Sequence, residues 1–317
     1  TGVGILTLVT GSGAAWLITM YRFPGRAWLD RLMVLPLAMP TYIVAYCYGE
    51  LLEFSGPVQR ALRSLFGWQS ARDYWFPDVR SLGGAIFVIS TVLYPYVYLS
   101  ARASFVQQSV CVLEVARTLG QTAVGAFWSV ALPLARPALA AGVALVLMEC
   151  LNDLGAVQYL GVSTLSVSVY TTWLQRGSLG GAAQIALFAL AFVGLLAYME
   201  RAARGRGSTQ ATTGRLRALP FSDIDGWRGI AALALCLLPV IFGFVAPALL
   251  LIGHAWNHGG SAFTWSFWRA ALGSVTLATL AAVVTVTLGL LLAYAQRLGH
   301  GRILKSAVGI AGIGYAI

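Results

Sequence analysis

Long apolar runs alternate with short polar connectors along almost the whole chain. Each run has about the 20 residues that a helix needs to cross the roughly 30 Å hydrocarbon core of a bilayer. The runs cover residues 2–21, 29–52, 82–105, 138–157, 179–199, 229–255, 268–295 and from 303 onward. Pro36 and Pro40 predict a kink in the second run. Neighbouring helices can satisfy the backbone groups that the prolines free, so the run can still be a span. The pattern predicts an all-α polytopic membrane protein with about eight spans.

Composition and charge support a membrane location. Apolar residues make up 58% of the chain and charged residues 10%, with a mean hydropathy of +0.77. Soluble domains carry about 25% charged residues. Fifteen of the 21 Lys and Arg residues fall on one side of the predicted topology, the side that holds the loop after the third span. This is the positive-inside pattern of a cytoplasmic face, so the net charge of +10 does not indicate nucleic-acid binding.

Two connectors are longer than the others. Residues 54–80 carry aromatic side chains that suit the membrane–water interface, although the same rings could form a docking surface. They include Trp68, Tyr74, Trp75 and Phe76. Residues 201–227 place five arginines among Gly, Ser and Thr, which is typical of a cytoplasmic linker.

One polar, Gly-containing stretch, residues 114–137, lies between two membrane-length runs. Its composition predicts a helix over residues 107–119 and a second over 121–131. Gly120 is predicted to hold the left-handed conformation that ends the first helix, and Pro133 to end the second. Phe127 and Val130 would share one face. By periodicity alone, the stretch is an amphipathic connector at the membrane surface.

The same stretch resembles the EAA loop of binding-protein-dependent ABC importer permeases. The resemblance rests on Glu114-Val-Ala116, on Gly120 and on Leu132-Pro133 at the spacing of that family, with Val115 and Val130 as small departures. It implies the type I ABC importer permease fold (MetI-like), in which this loop docks on the ATPase. The residues that the resemblance assigns to ATPase coupling are Glu114, Ala116, Gly120, Phe127, Leu132 and Pro133.

Residues 147–162 look like the corresponding segment of fused ferric-iron permeases, which join two permease halves in one chain. By this resemblance residues 1–200 form the first half, 201–227 the linker and 228–317 the start of a second half. An echo of the basic turn 22–26 at 297–302 supports two related halves. Both chain ends lie inside apolar runs, so we expect a longer protein with a second EAA-like loop beyond Ile317.

Acidic and amide groups cluster within the predicted fourth span and just after it. Glu149 and Asp153, four residues apart, would share a helical face beside Asn152, with Gln158 and Tyr159 following. Glu149 would lie about twelve residues into the span, or roughly 18 Å. Carboxylates at that depth normally face a cavity or a partner, and oxygen ligands suit a cation. In the alternative interpretation, Glu149 is protonated or hydrogen-bonded to a neighbouring helix, and Asp153 caps the helix end.

The family resemblance therefore implies a bacterial inner-membrane permease that imports iron(III) by alternating access. Its implied partners are an ABC ATPase in two copies, a periplasmic substrate-binding protein and the lipid bilayer. The chain has no phosphate-binding GxxxxGK[ST] sequence, and we expect neither enzymatic activity nor a cofactor. A permease for thiamine, polyamines or sulfate and a secondary transporter stay open as alternatives. A metal enzyme would rest on His254 and His258, which lack a third ligand nearby.

Overall fold

The computed structural model describes residues 1–107, 120, 122–205 and 222–298, which are helical over most of their length. The helices of residues 1–107 are α1 (Gly2–Met20), α2 (Arg26–Leu32), α3 (Thr41–Leu52), α4 (Pro57–Phe66) and α5 (Leu82–Gln107). The later helices are α6 (Ala123–Ala126), α7 (Leu132–Asn152), α8 (Gly155–Tyr159), α9 (Leu165–Tyr170), α10 (Leu179–Gly205), α11 (Trp227–Val240), α12 (Ala246–Ala262) and α13 (Trp265–Leu298). The structure also contains a 3-10 turn at Leu35–Ala38 and π-helical turns at Phe127–Ala131, Thr171–Gln175 and Ile241–Val245. Strand β1 (Tyr21–Arg22) pairs in parallel with β2 (Ser222–Asp223).

Six helical runs in the described part are long and apolar enough to cross a membrane. They are Gly2–Met20, Leu82–Val106, Phe127–Asn152, Leu179–Leu196, Trp227–Asn257 and Trp265–Leu291. Each overlaps a predicted span, and the prediction of an all-α polytopic membrane protein is confirmed. The eighth predicted span, from residue 303, lies outside the described residues.

The second predicted span is broken in the middle. Its two helical pieces, Arg26–Ala38 and Thr41–Phe66, meet at an angle of 93°. Pro36 lies within the 3-10 turn, and Pro40 is the N-cap residue of α3, where a missing N–H costs no helical hydrogen bond. The predicted kink at the two prolines is therefore confirmed.

This broken segment runs along the whole of α5. Near the C-terminal end of α5, Arg102 forms an ion pair with Asp30 of α2 at 2.6 Å. Just before the N-terminal end of α5, Arg80 forms an ion pair with Glu53, which follows α3, at 3.1 Å. Residues 80 and 102 are separated by about 33 Å if the chain between them is helical. The described spans number six, or seven when the broken segment is counted as one crossing.

The fourth span differs most from its prediction. The chain is helical without interruption from Ala123 to Asn152, so the prediction that Pro133 ends a helix is wrong. A π-helical turn precedes the proline, and Leu132 N–H donates to the Phe127 carbonyl five residues back. A proline inside a helix crowds the carbonyl four residues earlier, and a wider turn gives the ring room. The span therefore begins at Phe127 rather than at residue 138, and it ends at Asn152 rather than at 157.

Helix α5 lies between α1 and α7 and supplies much of the buried core. Tyr94, Tyr98 and Phe105 are its largest fully buried side chains. Glycines on both neighbours let the backbones come close: a Cβ at Gly142 of α7 would lie 2.9 Å from Val97 Cα. Small residues at helix contacts are a common packing device in membranes, where the lipid offers no hydrophobic drive to associate.

Gly11 of α1 offers a direct test of this packing. A Cβ there would lie 2.8 Å from Val97 Cβ and 2.9 Å from the Tyr98 backbone nitrogen, whereas a Cβ at Gly13 has nothing within 4 Å. We expect Gly11→Ala to destabilise the protein by about 1–3 kcal/mol because the helix backbones must separate. Gly13→Ala should cause no loss. Melting temperatures of the two purified full-length variants would check this, and equal shifts would contradict it.

The described helices form two compact units, Thr1–Ala248 and the chain from Leu249 onward. Helix α11, which the sequence assigns to the second half, packs on α1 and α2 within the first unit. The β1–β2 pair continues with a hydrogen bond from Ile224 N–H to the Arg22 carbonyl, at 3.0 Å. The end of the predicted linker is thus bound to the turn that follows α1.

Candidate functional site

The predicted coupling segment is described only in part. Glu114 and Ala116 lie outside the described residues. Gly120 has φ of +80°, so the predicted left-handed conformation is confirmed. Leu132 and Pro133 are half-buried in the first turn of α7, where Leu132 packs against the core. What can be described of this segment is therefore its second part, which leads directly into a span.

Phe127 joins this segment to the protein core. Its ring centroid lies 5.0 Å from that of Trp16 on α1 and 6.4 Å from that of Phe105 on α5. Trp16 and Phe105 also contact each other, with centroids 5.6 Å apart. Val130 packs against the same core, as the predicted shared face requires. We call Trp16, Phe105 and Phe127 the aromatic cluster.

A charged cluster lies beside the end of α5 that leads into the coupling segment. Arg102 donates from Nε to Asp30 Oδ1 and from Nη2 to Asp30 Oδ2, both at 2.6 Å. The Tyr98 hydroxyl donates to Asp30 Oδ1, also at 2.6 Å. A planar guanidinium held by two bonds has a fixed orientation as well as a strong interaction. Asp30 therefore fixes the end of α5 against α2.

Sequence reasoning missed both clusters, although two signals were present. Trp16 and Phe105 fall near the predicted cytoplasmic ends of their runs, and Phe127 lies in the predicted connector on the same side. Asp30 is the one acidic residue in the otherwise basic stretch between residues 22 and 31. Neither signal says which residues meet, because the contacts join positions far apart in the chain.

The carboxylates of the predicted translocation site lie at the end of a helix. Glu149 is half-buried and comes three residues before the end of α7, about 5 Å from it along the axis. The prediction that Glu149 lies about 18 Å into its span is therefore wrong. The helical run is Phe127–Asn152, so Glu149 lies close to its C-terminal end. Asn152, the last residue of α7, is exposed.

Asp153 is the C-cap residue of α7 and lies two residues before the start of α8. Its backbone is extended, with φ of −70° and ψ of 112°. Oδ1 accepts a hydrogen bond from Ala156 N–H at 2.9 Å, which caps the start of α8. The other oxygen, Oδ2, is buried and has no hydrogen-bond partner among the described residues. The observed side-chain hydrogen bond of Asp153 is thus to the start of α8 and not to the end of the span, and one carboxylate oxygen is left over.

Tyr159 on α8 contacts two other elements. The Tyr159 ring centroid lies 5.9 Å from that of Tyr46 on α3. The Tyr159 hydroxyl occupies the space that a Cβ at Gly49 would need. The Arg80 guanidinium lies 5.2 Å from the Tyr159 ring centroid. Gln158 is exposed beside it. The structure therefore brings Tyr159 together with α3 and Arg80.

Arg80 is a further residue that sequence reasoning missed. The Tyr159 hydroxyl and then the Glu53 carboxylate raise the pKa of its guanidinium, so it stays charged. The pair with Glu53 is half exposed, and solvent screens such pairs, so it contributes little to stability. A cavity of about 250 Å³ opens beside it, lined by Glu53, Gln59, Tyr74 and Arg80 among others. The signal available in the sequence was the pair of opposite charges, Glu53 and Arg80, at the ends of two consecutive spans.

The described residues do not gather a metal centre. No three His, Cys, Asp or Glu side chains within the described ranges come close enough to hold an ion. His254 is half-buried on α12. The chemistry of the described site is therefore that of polar and aromatic groups at the two ends of a helical bundle.

These features define a multi-pass helical membrane protein of the transport permease class. The model of the family described as "binding-protein-dependent transport system inner membrane component" matches residues 7–205. The chain belongs to this family, and the predicted resemblance to ABC importer permeases is confirmed at that level. The family and the apolar helical runs together place it in the inner membrane as a multi-pass protein.

Curated relatives are permeases with different named substrates. The chain is 33% identical over 157 residues to the sulfate transport system permease protein CysT of Salmonella typhimurium, covering 48% of this chain and 52% of CysT. It is 27% identical over 200 residues to the molybdenum transport system permease protein ModB of Escherichia coli K12, covering 61% and 84%. It is 29% identical over 205 residues to a putative 2-aminoethylphosphonate transport system permease protein, PhnU, of Salmonella paratyphi A, covering 63% and 70%. The match thus spans about half the length of the sulfate permease.

Proposed function

We propose that this chain is the membrane-spanning permease part of a bacterial ATP-driven importer. It would receive substrate from a periplasmic binding protein and be driven by a pair of ABC ATPase subunits. Family membership supports this proposal. The single observation that carries it is the contact of Phe127, within the candidate coupling segment, with both α1 and α5. A segment docked on an ATPase could move these two spans through that contact.

The mechanism follows from the two ends of α5. When nucleotide closes the ATPase pair, the coupling segment would shift, and the aromatic cluster would transmit the shift to α1 and α5. At the other end of α5, Arg80 contacts Glu53 and Tyr159, so a movement of α5 would also alter the contacts of α8. Both ends would then change together, as alternating access requires.

For the substrate we propose iron(III). The support is chemical: Glu149 and Asp153 place carboxylate oxygens at the end of α7, and one buried oxygen of Asp153 has no hydrogen-bond partner among the described residues. Hard oxygen donors suit a highly charged cation. The resemblance of residues 147–162 to ferric-iron permeases points the same way.

An oxyanion is the second candidate, and a specific observation favours it. The relatives include permeases named for sulfate and molybdenum. Arg80 also places a permanent positive charge over Tyr159 at the same end of the bundle. The planar guanidinium group matches the geometry of oxyanions such as carboxylate and phosphate.

Capture of the ATPase tests the proposed function. Full-length protein would be used to pull down candidate ABC ATPase subunits, with Glu114→Lys and Gly120→Pro as variants. We expect each to weaken capture several-fold: Glu114→Lys reverses a charge, and proline cannot adopt the φ of +80° at Gly120. Normal membrane insertion of both variants is the control. If no ATPase is captured even by the wild type, and uptake follows an ion gradient, the chain is a secondary transporter.

Reconstitution separates the two substrates. The complex in liposomes would be supplied with purified binding protein loaded with iron(III), sulfate or molybdate. We expect iron(III) to stimulate ATP hydrolysis and to accumulate inside. Stimulation by the oxyanions alone would overturn the iron proposal and leave the importer proposal standing.

A further inference from the structure

Helix α4 turns its polar face inward. Gln59 is 8% exposed; its Nε2 donates to the Leu52 carbonyl at 2.7 Å, and its Oε1 accepts from the Tyr74 hydroxyl at 2.5 Å. Arg63 donates to the Phe54 carbonyl at 2.7 Å, and its guanidinium lies 3.9 Å from the Phe54 ring centroid. Gln59 and Arg63 of α4 therefore face the protein, whereas Arg60 and Ser64 are exposed.

The exposed surface of α4 carries an apolar stripe. Val58, Ala61 and Leu65 follow one another at helical spacing and are exposed, Leu65 to 78%. Trp75, in the same connector, is 86% exposed. A helix on a water-soluble surface has the opposite arrangement, with apolar side chains against the core and polar ones outside. The outward stripe of α4 thus suits an apolar environment.

Helix α4 begins beside the last turn of α3. It follows the end of α3 after four residues, and a Cβ at Gly56 would clash with the carbonyls of Glu50 and Leu51 in the last turn of α3. The Gln59 bond to Leu52 holds the first turn of α4 at that point. The stripe is therefore continuous with the surface where a membrane span ends.

We propose that the Val58–Ala61–Leu65 face of α4 is buried in the extracytoplasmic leaflet, at the boundary between headgroups and acyl chains. Lipid covers such a face at all times, whereas a soluble partner would leave it in water between encounters. Charge agrees with this occupant, because residues 54–80 carry four arginines against two aspartates, and Arg60 is exposed beside the stripe. Basic residues next to an apolar helical face are typical of helices that bind anionic lipid surfaces. Through Gln59 and Tyr74, this contact would hold the wall of the cavity beside Arg80 at the membrane surface.

Site-directed spin labelling of the full-length protein tests the proposal. Single labels would be placed at residues 58, 61 and 65, with residues 60 and 64 on the same helix as matched controls. The four native cysteines would be replaced by alanine, and the background accepted only if it elutes like the wild type. The protein would be studied in liposomes of phosphatidylethanolamine and phosphatidylglycerol, using oxygen as the lipid-soluble quencher and a nickel chelate as the water-soluble one.

We expect the ratio of oxygen to nickel accessibility to be several-fold higher at 58, 61 and 65 than at 60 and 64. Equal ratios at all five positions, with strong nickel access, would show a helix in water and overturn the proposal. Protection from both reagents that requires an added binding protein would also overturn it, in favour of a protein partner.

Discussion

Replacing Phe127 with alanine is expected to reduce coupled uptake about thirtyfold while ATPase capture persists. The ring is half-buried against Trp16 and Phe105, and losing such contacts costs about 2 kcal/mol. If this free-energy cost falls on the arrangement that links the coupling segment to α1 and α5, it corresponds to about a thirtyfold reduction in coupled uptake. The measurement is uptake into liposomes, divided by the amount of ATPase bound.

Two variants serve as controls for this prediction. Phe127→Leu keeps an apolar side chain in the same position and should retain most of the uptake. Trp128→Ala removes an aromatic ring from the next residue, which is 64% exposed and therefore outside the aromatic cluster. It should leave uptake per bound ATPase unchanged. If Phe127→Ala loses ATPase capture and uptake in the same proportion, Phe127 acts in docking and not in transmission.

The apolar runs predicted the membrane spans well because a bilayer imposes a fixed length on every crossing element. The broken second span was also predictable, since proline is accommodated at the start of a helix and not in its interior, so Pro36 and Pro40 mark where one helical piece gives way to the next. Pro133 was misjudged by the same rule. A π-helical turn can carry a helix past a proline, and composition alone does not show that the turn will form.

That one error propagated to the candidate site. Placing the start of the fourth span at residue 138 put Glu149 deep in the membrane, whereas the helical run from Phe127 puts it near the end of α7. The contacts that sequence analysis did not predict were missed for a different reason. The contacts between Trp16 and Phe127, and between Asp30 and Arg102, join residues 72 or more positions apart, and helical periodicity specifies only which face a residue occupies.

Neutralising Asp30 is expected to lower both the stability of the protein and its uptake. Asp30→Asn leaves the Arg102 guanidinium without a carboxylate, and it weakens the hydrogen bond from Tyr98. Removing one partner of a buried pair costs about 3–5 kcal/mol. Here the side chains of Arg102 and Asp30 are 38% and 29% exposed, so solvent screening reduces the expected cost to about 2 kcal/mol. The melting temperature of the full-length protein in detergent would measure the loss.

The double variant Asp30→Asn with Arg102→Gln distinguishes the effect of an unpaired charge from the effect of losing the two-bond geometry. It removes both charges together, so no unpaired charge is left behind, and it should be more stable than Asp30→Asn alone. Tyr98→Phe deletes one hydroxyl and should cost only about 1 kcal/mol. If the double variant is no more stable than Asp30→Asn, the pair does not fix α5 against α2. A double variant that regains stability without regaining uptake would instead show that coupling needs the orientation imposed by the two-bond contact. Two amides cannot reproduce the planar geometry of a guanidinium on a carboxylate.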